Sequence, residues 1–338
     1  MKVIVEKTSI FKSLSHVQNI AEKKNTLPIL SNILLEAREN SLILSATDMD
    51  ISITDKVDCN VVEIGSTTVP AHTLYDIIRK LPDSGEIELI SNDGKIMTLR
   101  AGKSKFSLGC LPKEDFPIIE VENLENELSI DSQKFLKLIN KTRFAISSEE
   151  TRYFLNGIYF HIKNENQKNI LTLVATDGHR LAKFDYNTKD NSKEIPGIII
   201  PKKTINEVFK LLSDYEGSIK INLDSNKIVF FIGESILISK LIDGNFPDYR
   251  RVIPKENKNK LIINRESFSL AVDRVSTIVN EKSPIIKFKL LNNVMNMSSV
   301  NNENGTATED ITTKYSGDEI EIGFNSKYVL EMINNLED

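Results

Sequence analysis

A thirteen-residue pattern occurs three times in this chain, and it limits the possible folds more than any other feature. Residues 69–81 (VPAHTLYDIIRKL), 200–212 (IPKKTINEVFKLL) and 324–336 (FNSKYVLEMINNL) align without gaps. Leu74, Ile205 and Val329 match, as do Asp76, Glu207 and Glu331, then Ile78, Phe209 and Ile333. Apolar residues recur at helical spacing in each copy, so each predicts an amphipathic helix resting on an apolar layer. Pro70 and Pro201 sit where a helix can begin, because its first turn needs no proline N–H. The copies are 131 and 124 residues apart, the length of a small domain and far too long for a solenoid repeat.

Other pairs keep the same period. Asn32 and Asn156 share their surroundings, as do residues 45–48 (SATD) and 174–177 (VATD), and Phe116-Pro117 returns as Phe246-Pro247. Phe11, Phe135 and Phe268 mark a second set of equivalent helices. A chain of 338 residues exceeds one ordinary core, and the repeats divide it into three. The expected domains are 1–120, 121–254 and 255–338, joined by short polar linkers at 113–127 and 255–260.

Within the first copy the order reads strand (2–6), helix from Ser9 with Ser9 as its cap, strands near 33–36, 42–47 and 51–57, helix 72–81, then strands 87–90, 95–99 and 105–108. Asn40 marks one turn, and Asp93-Gly94 signals a hairpin. Two helices and about eight strands per copy predict an α+β domain, with both helices covering one face of antiparallel sheet. The third copy stops right after its second helix. It is therefore expected to lack its last strands, as in a C-terminally truncated chain.

Composition narrows the function classes. Hydrophobic content of 40% and charged content of 27% are those of a globular protein, and no apolar run approaches a membrane span or a signal peptide core. The expectation is a cytoplasmic protein with no membrane partner. Cys59 and Cys110, in strand-like stretches, are too few for a disulfide framework and read as small buried hydrophobes.

Charge is unevenly distributed. The expected helices (9–23, 72–81, 132–146, 202–213, 265–279, 326–337) hold 14 Lys and Arg against 7 acids, a net +7, while the whole chain carries -5. Everything outside the helices therefore carries a net -12. Such segregation places positive potential on one layer, as a nucleic-acid partner needs, although Lys-rich solvated helix faces are common. Lys134, Lys137, Lys141 and Arg143 stand without an acid in their helix.

Chemistry of catalysis is not legible. Asp177, His179 and Arg180 lie together, but no nucleophile elbow, Cys-His arrangement or metal-spaced His cluster accompanies them among the four His. Gly102-Lys103-Ser104 lacks the upstream glycine of a phosphate loop and precedes a strand. No catalytic residue, cofactor or metal ligand is expected. A scaffold that binds only proteins is the alternative to a nucleic-acid-binding one.

Four stretches carry a family resemblance: residues 26–32 (TLPILSN), 151–157 (TRYFLNG), 175–182 (ATDGHRLA) and 239–254 (SKLIDGNFPDYRRVIP). Together with the triplication, they make the chain similar to the bacterial DNA polymerase III beta subunits, the DNA sliding clamps. The resemblance implies the DNA-clamp fold and a head-to-tail homodimer closed into a ring of six domains. Helices would line the bore and duplex DNA would pass through unread, since phosphate contacts carry no sequence information. DNA contacts fall by resemblance on Lys24, Arg152, Tyr153 and Phe154, with Lys134, Lys137, Lys141, Lys202 and Lys203 supplying bore charge; core packing is an equal reading for Tyr153 and Phe154. The dimer interface falls on Phe106 and Leu108 from one chain and Ile278 and Val279 from the other. Arg100, Lys103 and Lys105 would face Glu303, Glu309 and Asp310. A hydrophobic cleft for short peptides maps to Leu155, Thr176, Gly178, His179, Arg180, Leu181, Pro247, Arg251 and Val252. The partners implied are the polymerase III alpha subunit, the clamp loader complex, and other DNA polymerases and repair proteins. The function implied is that of a processivity factor in DNA replication.

Overall fold

The computed structural model describes every residue except 24–25, 84, 120–123, 189–193, 281, 302, 304 and 338. The chain divides into two compact units, Met1–Phe246 and Pro247–Asp338.

The first unit contains two repeats. The first repeat comprises β1 (Lys2–Glu6), α1 (Lys7–Val17), β2 (Asn32–Arg38), β3 (Ser41–Thr47), β4 (Ile51–Asp58), β5 (Asn60–Glu63), β6 (Gly65–Pro70), α2 (Ala71–Lys80), β7 (Glu86–Ser91), β8 (Ile96–Ala101) and β9 (Ser104–Gly109). The second comprises β10 (Asn126–Asp131), α3 (Ser132–Asn140), β11 (Gly157–Glu165), β12 (Lys168–Thr176), β13 (Leu181–Thr188), β14 (Ile195–Pro201), α4 (Lys202–Ser213), β15 (Ser218–Leu223), β16 (Lys227–Ile232) and β17 (Ser235–Lys240). These strands form sheets ordered β5-β1-β7-β8-β9, β10-β15-β16-β17-β4-β3-β2-β6 and β13-β12-β11-β14.

The middle sheet crosses the boundary between repeats. Strand β17 pairs antiparallel with β4, placing Ile236 opposite Thr54, Leu237 opposite Ile53 and Ile238 opposite Ser52. Side chains reinforce this joint: Lys203 is ion-paired with Asp48, and Lys240 Nζ donates to Asp50 Oδ1 at 3.0 Å. His16 Nδ1 lies 2.6 Å from Asp55 Oδ2, and its Nε2 lies 3.8 Å from Asp214 of the second repeat.

Apolar periodicity dictates which helix faces are buried. Ile10, Leu14 and Val17 of α1, Leu74 and Ile78 of α2, Phe135, Leu138 and Ile139 of α3, and Ile205, Val208, Leu211 and Leu212 of α4 join one core with the inner faces of the strands. Phe135 is fully buried and packs its ring 6.1 Å from that of Phe230 on β16. Hydrophobic and polar residues alternate along β7 and β15, as expected of sheets covered on one face.

The second unit comprises α5 (Arg265–Ser276), β18 (Ile285–Leu291), β19 (Val294–Asn301), β20 (Gly305–Thr312), β21 (Ile320–Asn325) and α6 (Ser326–Asn334), with sheet order β20-β19-β18-β21. Its core is smaller, built on Ala271, Val272, Val275, Ile286, Phe288, Met295, Met297, Val329 and Ile333.

Several expectations need correction. Helix α1 starts at Lys7, with Glu6 at its N-cap making no side-chain cap, so Ser9 lies inside the helix. Strand β1 runs straight into it, and Lys7 N is satisfied by Gly85 O at 3.2 Å, which removes the need for a serine cap. The expected helix 132–146 ends at Asn140 and is followed by a separate 3-10 turn at Arg143–Ala145. Thr142 Oγ1 bonds back to Leu138 O at 2.9 Å where the α-helix stops. Cys59 and Cys110 lie just outside β4 and β9 and are half-buried; burial raises both thiol pKa values.

Candidate nucleic-acid and peptide interfaces

The six helices as observed hold twelve Lys and Arg against five acids, still a net +7 in a chain of -5. Each helix buries an apolar stripe and most of the charged residues on the helices are exposed, although Lys7 of α1 and Glu207 of α4 are buried. On α3, Phe135, Leu138 and Ile139 are buried while Lys134 and Lys137 are exposed. Lys134 Nζ sits 5.8 Å from the Tyr186 ring, and Lys141 is half-buried at the C-cap. Arg143 turns inward instead: its guanidinium lies 3.6 Å from the Phe209 ring, and burial lowers its pKa. On α4, Lys202 Nζ donates to Ser148 Oγ at 2.6 Å and Lys203 is held by Asp48, so each must exchange a partner to meet a phosphate. Lys24 lies outside the described residues.

The segment with Arg152, Tyr153 and Phe154 is a 3-10 stretch, Glu150–Leu155, kinked at Arg152. Arg152 Nε donates to Glu149 Oε2 at 2.6 Å. Tyr153 is 53% exposed, which favours a surface role over core packing for that ring, whereas Phe154 is half-buried against it in an edge-on pair 5.8 Å apart.

Beside this segment lies the turn between β12 and β13. Asp177 Oδ1 accepts from His179 N at 2.9 Å and Arg180 N at 3.0 Å, and its Oδ2 accepts from Arg180 Nε at 3.0 Å. Burial pushes the Asp177 pKa up, but these hydrogen bonds and the Arg180 charge outweigh it and hold the carboxyl below its ordinary value. Arg180 Nη2 also donates to Phe144 O at 2.7 Å, so this guanidinium shapes the turn from within. Gly178 has φ +87°, and a Cβ there would lie 2.5 Å from Arg152 Nη1. The structure thus brings Arg152 and the turn together. Thr176 and Leu155 are buried, Leu181 is half-buried, and Gly178 and His179 are exposed. In the second unit, Arg251 ends a 3-10 turn, Tyr249–Arg251, that Pro247 and Val252 flank, and all three are exposed, Val252 to 68%; Arg251 Nε pairs with Asp248 at 3.3 Å.

Phe106 and Leu108 lie on β9, which ends its sheet; Leu108 is buried and Phe106 half-buried. Ile278 and Val279 follow α5 and are half-buried. Arg274 is ion-paired with Glu309, Asn296 Nδ2 bonds Asp310 Oδ1 at 2.6 Å, and Arg100 pairs with Glu88 at 3.4 Å.

Among the described residues no group of three or more His, Cys, Asp or Glu could hold a metal ion, and no helix is long and apolar enough to cross a membrane.

Family models of the DNA polymerase III beta subunit match nearly the whole length: the N-terminal domain over residues 1–120, the central domain over 129–248 and the C-terminal domain over 250–338. The chain belongs to the DNA polymerase III beta subunit family. A beta sliding clamp from Caulobacter vibrioides is 42% identical over 337 residues, 99% of this chain and 91% of that protein. A sliding clamp from Bartonella birtlesii, solved bound to griselimycin, is 43% identical with TM-score 0.96 over 100% of this chain and 91% of that one. The DNA polymerase III subunit beta of Pseudomonas aeruginosa is 33% identical with TM-score 0.92 over 99% of this chain and 90% of that one.

As a sliding clamp, the chain is a processivity factor that tethers DNA polymerase and is not itself an enzyme. Its Asp177-His179-Arg180 group, which a hydrolase reading would use, is instead a hydrogen-bonded turn. Sequence reading did not find the contact of Arg152 with Gly178, nor the joining of β4 to β17. Only the pairing of residues 45–48 with 174–177 hinted that both repeats share this turn.

Proposed function

We propose that two copies of this chain close head to tail into a cytoplasmic ring around duplex DNA. The ring slides without reading sequence and holds the polymerase III alpha subunit, the clamp loader and other polymerases and repair proteins. They would enter by short peptides at Leu155, Thr176, Gly178, His179, Arg180, Leu181, Pro247, Arg251 and Val252. Residues 1–120, 121–254 and 255–338 are the domains of this reading. Lys24, Lys134, Lys137, Lys141, Lys202, Lys203 and the Arg152–Phe154 segment supply its DNA contacts.

The observation that carries the reading is the β4·β17 joint. In the first repeat, β9 is the counterpart of β17: each follows a two-residue turn whose glycine has positive φ, Gly102 (+56°) or Gly233 (+58°). In the third repeat β20 is the counterpart of β4, and both β9 and β20 end their sheets. Such edges are templates for further pairing. Carrying the register of Ile238 opposite Ser52 to these counterparts sets Ser107 of one chain opposite Thr306 of the other, and Phe106 opposite Ala307. Lys105 then faces Thr308, diagonal to Asp310, which matches opposite charges. Phe106, Leu108, Ile278 and Val279 would complete this interface.

The test is disulfide trapping. Directly opposed Cβ atoms lie ~5 Å apart, close enough to bridge. In a background of Cys59→Ser and Cys110→Ser, the pair Ser107→Cys and Thr306→Cys should give covalent dimers under mild oxidation. A monomer in sedimentation that forms no such bridge refutes the ring.

A further inference from the structure

Residues 241–246 follow β17 and belong to no helix or strand, yet both ends of 242–246 are fixed on one rung of the sheet that holds β11 and β14. Ile242 N donates to Ile199 O at 3.0 Å. Tyr159, directly opposite Ile199, stacks on Phe246 with ring centroids 4.8 Å apart and planes 7° from parallel. Gly197 stands two residues before Ile199 on β14 and so shares its face of the sheet. A Cβ at Gly197 would collide with the Tyr159 ring, so glycine lets that ring lie flat on the strand and meet Phe246.

Asp243, Gly244 and Asn245 bridge the two fixed ends, and all three are exposed. Four residue steps of extended chain reach at most ~14 Å, which leaves the middle of this strap little freedom. Gly244 closes there on the 3-10 stretch that precedes β11. A Cβ at Gly244 would lie 3.1 Å from Phe154 Cβ and 3.4 Å from Tyr153 Cε2. The first distance is below ordinary carbon contact, so the approach needs glycine for its room.

Tyr153 is 53% exposed, and Phe154 and Gly244 lie against it. A side chain held in place before it binds gives up less freedom on binding. The strap thus supplies a fixed support to a ring that otherwise faces solvent.

We propose that the strap 242–246, pinned where Phe246 stacks on Tyr159, sets the Tyr153 ring in place for DNA, with Gly244 and Phe246 as positioning residues. The inference rests on reading the Arg152–Phe154 segment as a DNA contact. Its test uses the full chain with 3-fluorotyrosine at residue 153 alone, and a short DNA duplex at low salt. Gly244→Val and Phe246→Ala should each shift or broaden the fluorine signal before DNA is added. Each should weaken DNA binding ~2- to 10-fold, the cost of ordering one side chain. The slope of log affinity against log salt should stay unchanged, because a neutral ring releases no counterion. Phe246→Tyr keeps the stack and should bind within ~2-fold of the unsubstituted chain. In a Tyr153→Ala background, Gly244→Val should cost less than ~2-fold.

A fluorine signal that Gly244→Val leaves unmoved overturns the inference. So does a Gly244→Val loss that is as large with Tyr153→Ala as without it, or a Phe246→Tyr loss equal to that of Phe246→Ala. If the fluorine signal moves but Tyr153→Ala binds DNA as well as the unsubstituted chain, the DNA-contact reading falls and the positioning of the ring stands.

Discussion

Replacing Gly178 by Ala perturbs two things at once. A residue with a side chain at φ +87° costs about 1–2 kcal/mol relative to the right-handed region. The new Cβ would also lie 2.5 Å from Arg152 Nη1, so that guanidinium must move. Its pair with Glu149 has side chains 38% and 50% exposed, and solvent screening limits the loss to ~0.5 kcal/mol. Against this, alanine narrows the unfolded ensemble and returns ~0.5 kcal/mol. The balance is a loss of about 1–2 kcal/mol, confined to the turn. Three repeats do not unfold in one step, so the assay is native-state hydrogen exchange at the amides of His179 and Arg180. Opening should become roughly 5–30 times more frequent. Met49 holds the equivalent place in the first repeat, at φ +80° in a turn where its N donates to Thr47 Oγ1 and Asp48 Oδ1 accepts from Asp50 N and Ile51 N; Met49→Gly relieves that φ and loses a similar amount of unfolded-state restriction, so exchange at Asp50 and Ile51 should change less than ~3-fold. If Gly178→Ala leaves exchange unchanged, or Met49→Gly loosens its turn as much, the reasoning about these paired turns is wrong.

Phe135→Ala, which empties a fully buried site against Phe230, should lower the opening free energy of the second repeat by about 3–5 kcal/mol in native-state hydrogen exchange at its core amides; a loss under ~1 kcal/mol would contradict the packing described. Lys203→Ala removes the partner of Asp48, whose side chain is 9% exposed, and should loosen the β4·β17 joint by ~1 kcal/mol, the amount being small because Lys203 is 40% exposed. Exchange at Ile238 and Ser52 would report it. Asp177 has a folded-state pKa below its usual 3.8, so its contribution is present above that pH and lost as pH falls through the lower folded value. An NMR titration of its carboxyl carbon should give a midpoint below 3.8, and one at or above that value would remove the hydrogen-bond account of the turn. Lys134→Gln with Lys137→Gln should flatten the salt dependence of DNA binding by up to ~1.8 in log–log slope, if both meet phosphates.

The internal period carried much of the fold. Residues 69–81, 200–212 and 324–336 all proved to contain helices that bury Leu74 and Ile78, Ile205, and Val329 and Ile333, because amphipathic spacing is written locally, whereas Phe209 is only half-buried and faces Arg143. Helix ends were less legible. The stop at Asn140 depends on Thr142 and the inward turn of Arg143 onto Phe209, a contact between distant residues. The cap at Ser9 failed because Gly85, nearly eighty positions along the chain, satisfies the helix start. Charge counting found the basic helices but not that Asp48 holds Lys203, since an ion pair across 155 positions leaves no local trace. The Asp177 turn was visible as residues 175–182, yet its hydrogen bonding, which makes Arg180 a support for the turn, emerged only with β12 and β13 in register.

A closed ring would hold the protein on DNA by topology rather than by contact strength. The most direct measurement is retention on one duplex, as a closed circle and as a linear piece, at rising salt with a clamp loader and ATP supplied. Phosphate contacts alone weaken steeply with salt on either form. A closed ring should stay on the circle at high salt and leave when the circle is cut. Equal loss from circle and linear DNA as salt rises would contradict it.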